Sequence, residues 1–126
     1  QRISTVTRGP KRHMFVIETN QQLHEWATDD NGTWSSVRTS TATNLGVNLV
    51  FGMDMSADGR RMLMFARNIQ SVDVMTYSYR DSIDVPFRPA VTLPDSPGSR
   101  DAFLSEDCDR MYFSGLDAVF YVRRLP

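Results

Sequence analysis

Cysteine is nearly absent from this chain. The single thiol, Cys108, excludes an internal disulfide and cannot hold zinc by itself; it is expected as a tolerated small residue in a turn. The two histidines, His13 and His24, stand at no spacing that suits a metal ligand set or a general base with its nucleophile. No apolar run approaches the ~20 residues that cross a bilayer, so no membrane span is expected. The N-terminus lacks the charged and then apolar order of a signal peptide, and a chain that opens on Gln1 rather than Met is read as trimmed, processed or excerpted. A net charge of −1 supplies no field for nucleic acid, so no nucleic-acid partner is expected. Missing too are the G-x-S-x-G elbow, the P-loop, G-x-G-x-x-G and H-E-x-x-H. No catalytic residue, metal or cofactor is expected.

What is present is a repeat. The 126 residues, 40% hydrophobic and 23% charged, suit one ordinary domain with a core. Ser56, Asp58, Arg61 and Met62 of "SADGRRMLMF" recur as Ser105, Asp107, Arg110 and Met111, an offset of 49 residues. A step of the same length backwards lands on "TRGPKRHMF", where Lys11-Arg12 replaces Arg60-Arg61. Internal periodicity of this kind marks repeat architectures.

Each copy reads as strands separated by turns. The strand before the turn is 3–6, 52–55 or 101–104, and the one after it is 14–17, 62–66 or 111–114. A third follows at 23–27, 72–79 and 118–122, and the first two copies add a fourth at 33–38 and 87–93. Asp-Gly and Asn-Gly supply the positive φ of tight turns, the intervening segments are rich in Val, Phe, Tyr, Met and Thr, and helical periodicity is missing. Four antiparallel strands per unit of about 40–50 residues is the pattern of a β-propeller blade. The expected fold is therefore all-β, one partial propeller of about two and three-quarter blades over residues 1–43, 44–98 and 99–126, the last lacking its fourth strand. Propellers have roughly four or more blades, so additional copies, further polypeptide segments or a protein partner are expected to complete the ring.

At "MSADGRRMLMFA" and "LSEDCDRMYFS", followed by "VDVMTYSYR" and "AVFYVRR", the chain resembles the WD40-like (PD40) repeats of the TolB type, S-P-D-G-x-x-[IL]-x-[FY]. The resemblance runs clearly over residues 44–124 and less so over 1–43. Ala57 and Glu106 stand where the pattern has Pro, and Gly9-Pro10 and Cys108 alter two of the turns. It implies a periplasmic, cell-envelope or secreted protein and a non-enzymatic interaction or assembly module. It also implies two alternatives, a lectin-like propeller and the accessory propeller of a secreted peptidase or hydrolase.

Several residues are singled out on that frame. Ser56, Asp58, Gly59, Ser105 and Asp107 are expected to build the turns. Lys11, Arg12, Arg60 and Arg61 recur at equivalent turns and could line a basic rim that meets an acidic partner. Trp26 and Trp34 flank "ATDDNGT", an approach to an Asp-box, and are the candidates for stacking on a sugar ring. Asn31-Gly32-Thr33 is a formal N-glycosylation acceptor. The Met53/Met55 and Met62/Met64 pairs each point to one strand face; thioethers favour Cu(I), but with no His or Cys beside them they are expected to fill gaps between sheets. Asp29-Asp30 and Asp54 with Asp58 do not fit the full calcium-loop pattern of alternating oxygens, a Gly and a bidentate Glu and are expected to bond their own backbone.

Overall fold

The computed structural model describes residues 2–4, 12–93, 103–105, 110–114 and 119–123. Lys11, Asp107, Cys108 and the Gly9-Pro10 turn lie outside them. The described residues form three antiparallel sheets, each a meander in chain order. The first comprises β1 (Arg2–Ser4), β2 (His13–Ile17), β3 (Gln22–Thr28) and β4 (Trp34–Thr41). β5 (Leu49–Met55), β6 (Arg61–Arg67), β7 (Asp73–Tyr79) and β8 (Val91–Thr92) make the second. β9 (Phe103–Leu104), β10 (Arg110–Ser114) and β11 (Val119–Arg123) make the third. Among the described residues the one helical element is a single 3-10 turn, Thr43–Leu45.

Alternation along β6 explains the packing. Met62, Leu63 and Met64 are each fully buried, yet neighbours on a strand point to opposite faces. Met62, Met64 and Ala66 join a cluster with Phe15, Ile17 and Leu23 of the first sheet. Leu63 and Met75 join Leu104 of the third. The middle sheet is thus covered on both faces, which is why β6 reads as a continuous apolar run. The cross-strand pairs Met53↔Met64 and Met55↔Met62 place both methionine pairs on the face toward the first sheet, in that core.

Hydrogen bonds of the main chain to side chains help to join the sheets. Gln21 Oε1 accepts from the Val50 N–H at 2.6 Å, and Asp54 Oδ2 accepts from the Leu104 N–H at 2.7 Å. Between the first two sheets the linking segment is itself core, burying Ala42, Leu45 and Val47. Gly46 closes the 3-10 turn at φ 77°, a left-handed value that L side chains rarely adopt.

The strand expected over 87–93 is shorter in the structure: only Val91–Thr92 pairs with β7. Pro86 and Pro89 have no N–H to donate to a ladder. The 80–90 segment folds back instead. The Arg88 N–H donates to the Tyr79 carbonyl, Ser78 Oγ donates to the Arg88 carbonyl, and Phe87 packs edge-on against Phe15.

Candidate functional site

The turn between β5 and β6 shows how the sequence places a basic pair. Ser56 Oγ donates to Asp58 Oδ1 at 2.6 Å. The same carboxylate oxygen accepts from the Arg60 N–H at 3.0 Å, and Ser56 Oγ accepts from the Arg61 N–H at 2.9 Å. Gly59 takes φ 68°, the left-handed conformation that Gly adopts without a Cβ penalty. Burial alone would raise the Asp58 carboxyl, but the Ser56 hydroxyl, the Arg60 N–H and the charges of Arg60 and Arg61 outweigh it and hold it below the ordinary value. The turn before β10 repeats the outer bonds. The Ser105 N–H donates to the Arg110 carbonyl at 2.9 Å, and the Arg110 N–H donates to Ser105 Oγ at 3.0 Å.

Arg60 and Arg61 leave that turn on a cleft of about 380 Å³, walled by Tyr77, Tyr79 and Val91 and closed by Arg80 and Asp81. The register Arg61↔Tyr79 sets Arg61, Tyr77 and Tyr79 on one face of the middle sheet. The two tyrosine rings stack at 6.1 Å and 21°. Arg88 lies over Tyr79 at 4.4 Å and donates from Nη2 to Asp81 Oδ2 at 2.6 Å. The cleft therefore combines two arginines, flat aromatic wall and a carboxylate already paired.

Arg80 belongs to a second feature, behind the cleft wall. Its side chain is wholly buried. Nη2 donates to Glu25 Oε1 at 2.9 Å and Nη1 to Glu25 Oε2 at 3.1 Å, so the two sheets share a bidentate pair. Nε donates to the Gly59 carbonyl at 2.8 Å, and Phe87 covers the guanidinium at 4.3 Å. Glu25 also takes Arg38 Nη1 at 2.7 Å, and His13 Nδ1 lies 3.4 Å from Oε1. Sequence reasoning passed over this group. The signal was present: Glu25 shares the face of Leu23 on β3, a face that turns out to be buried.

The remaining candidates separate. The register Trp26↔Ser36 and Thr28↔Trp34 puts Trp26 and Trp34 on one face of the first sheet, opposite Glu25. Arg12 stands with Trp34, its guanidinium 5.6 Å from the ring, rather than among the lining residues of the Arg60–Arg61 cleft. His24 Nδ1 is 3.3 Å from Thr39 Oγ1 on the neighbouring strand, facing away from Glu25. Asp29 Oδ1 accepts from the Asn31 and Thr33 N–H groups, each at 2.9 Å, and Asp54 is bonded to Leu104. Among the described residues no cluster of His, Cys, Asp or Glu is placed to hold a metal ion, and no helix is long and apolar enough to cross a membrane. No protein-family model matches the chain, and no curated protein matches it.

Proposed function

We propose that this chain is a segment of a TolB-like β-propeller that works as a non-enzymatic interaction or assembly module, with the ring completed by further polypeptide or by a partner subunit. The observation that carries the reading is how the sheets approach. The contacts between successive sheets include those of their first strands, β1 with β5 and β5 with β9, as around the axis of a propeller. Support also comes from the serine-capped turn recurring at the same offset in the second and third sheets, and from the double-sided burial of the middle sheet. In this reading rigid sheets hold variable loops, and the loops bind protein. Light scattering and sedimentation of the purified chain test it. The expected result is an assembly of several copies, or a complex with a captured subunit. A lone monomer with no partner would sink completion by copies or by a subunit.

Carbohydrate binding is the second reading, favoured by the shared face of Trp26 and Trp34. It expects a glycan-dependent change in tryptophan fluorescence that Trp34→Ala abolishes; a flat response across a glycan array rejects it.

A further inference from the structure

We infer that the outer face of the first sheet, centred on Met14 and Trp26, receives the third sheet of a second copy of this chain, so that two copies close one ring. The inference rests on the propeller reading and names both its partner and the surface that takes it. Across their second and third strands the first two sheets correspond at an offset of 50 residues. The pairs Met14↔Trp26 and Phe15↔Glu25 of the first sheet stand where Met64↔Thr76 and Phe65↔Met75 stand in the second. The turns agree at the same offset. Gln21 and Ser71 both take left-handed φ, 65° and 62°, and the Glu18 N–H donates to the Gln22 carbonyl as the Asn68 N–H donates to that of Val72.

The faces then correspond as well. Phe15 joins the core toward the middle sheet, and Phe65 packs toward the third. Met64, on the opposite face, is covered by the first sheet and fully buried, with its partner Thr76 at 1% exposure. Met14 and Trp26 hold those two positions on the first sheet, yet both are only half-buried and neither joins a core cluster. Ser36 and Thr39, on the same face of β4, are exposed. Along β2, β3 and β4 this face carries no Asp, Glu, Lys or Arg, whereas the opposite face carries Glu25 and Arg38. Loss of charge together with Trp and Met marks the core of a protein interface. A sugar site needs several convergent polar groups, but Trp26 has Met14 and Ser36 as its cross-strand neighbours.

The count of sheets selects the occupant. The described residues of one copy supply three sheets and those of two copies six, within the range of about four to eight at which propellers close. The third sheet continues the stacking, since β5 contacts β9 as β1 contacts β5. Setting it on the first sheet of the other copy, twice about a two-fold axis, closes the ring.

Sedimentation velocity of the purified chain tests the inference, with tryptophan emission as a second readout. A dimer is expected. Trp26→Glu, which puts a charge into the contact, should leave a monomer with unchanged far-UV circular dichroism, and Trp26→Ala should weaken the dimer by about tenfold or more. Ile69→Asp, on an exposed turn, should leave the dimer intact. Trp34→Phe makes Trp26 the sole tryptophan, and its emission should move to longer wavelength on dilution to the monomer, a readout that needs no disruptive variant. A dimer indifferent to Trp26→Glu and Trp26→Ala, or one whose Trp26 emission ignores dilution, overturns the assigned face and leaves the propeller reading standing. A monomeric wild type, or an assembly of another size, overturns the two-copy ring and leaves completion by other means; a monomer whose Trp26 emission responds to a glycan gives the face to carbohydrate. A Trp26-dependent dimer that is extended rather than disc-shaped in small-angle scattering sinks the propeller reading, and the third-sheet contact with it.

Discussion

Arg80 on the second sheet and Glu25 on the first form a buried bidentate pair, with bonds of 2.9 and 3.1 Å. The pair lies where the two sheets meet, and the same guanidinium reaches the Gly59 carbonyl of the turn that carries Arg60 and Arg61. One side chain thus couples the packing of the sheets to the shape of the cleft. Removing one member strands the other as a buried charge, which typically costs ~3–5 kcal/mol. Glu25→Gln and Arg80→Ala should each lower stability by about that much in urea titrations. Arg80→Lys should not restore it, because an ammonium cannot replace the planar fork. A loss under ~1 kcal/mol for Glu25→Gln would mean that the pair behaves as a surface ion pair.

The serine-capped turn supplies the second prediction. Ser56 is nearly inaccessible and its Oγ takes the Arg61 N–H. Ser56→Ala leaves that donor without its acceptor, at a cost of ~1–3 kcal/mol. Gly59→Ala puts a Cβ on a residue at φ 68°, which costs ~1–2 kcal/mol. If the offset of 49 residues between Ser56 and Ser105 is a structural equivalence, Ser105→Ala should cost a similar amount, since its Oγ takes the Arg110 N–H in the same way. A neutral Ser105→Ala beside a destabilising Ser56→Ala, read from thermal melts, would break the equivalence.

Local chemistry made much of this fold legible. Asp58-Gly59 and Asn31-Gly32 announce turns, and the apolar stretches between them became strands close to the expected places. What stayed hidden depends on contacts distant in sequence. Glu25 and Arg80 are 55 residues apart, and a charged residue on a strand reads as a solvated one. His24 adjoins Glu25 in sequence, but strand alternation gives that role to His13, whose Nδ1 lies 3.4 Å from the carboxylate. The polar gaps after the second strands, 18–22 and 67–71, were legible as breaks, but not the residues that turn the chain there: Gln21 and Ser71, not Gly, take the left-handed conformation. The cleft was half visible. Arg60 and Arg61 stood out as a pair, but Tyr77 and Tyr79 joined them only through the β6–β7 register.

Acid should act on the turn through Asp58. Its carboxyl titrates below the ordinary value of 3.8, because the ionised form accepts from Ser56 and Arg60 and sits near two arginines. A depressed carboxyl adds stability above its unfolded value, and that stability fades as pH falls through the folded one. The window is therefore the acid range below about pH 4. Asp58→Asn should flatten the acid limb of a stability-versus-pH curve and leave its slope near neutrality unchanged. An identical acid limb in both proteins would assign the acid sensitivity to other carboxylates.

The double-sided middle sheet gives the sharpest test of the packing. Leu63 and Met64 are neighbours on β6, both fully buried, and they enter different clusters, Met64 toward the first sheet and Leu63 toward the third. In a sheet with one solvated face, truncating one of two such neighbours would be nearly neutral. With both faces covered, Leu63→Ala and Met64→Ala should each cost ~2–5 kcal/mol through lost burial and the cavity left behind. They share no cluster, so the double variant should lose close to the sum. Denaturant titration of the two single variants and the double decides it. A mild Leu63→Ala would mean that the third sheet does not cover this face in solution, and the stacking on which the propeller reading stands would fail with it.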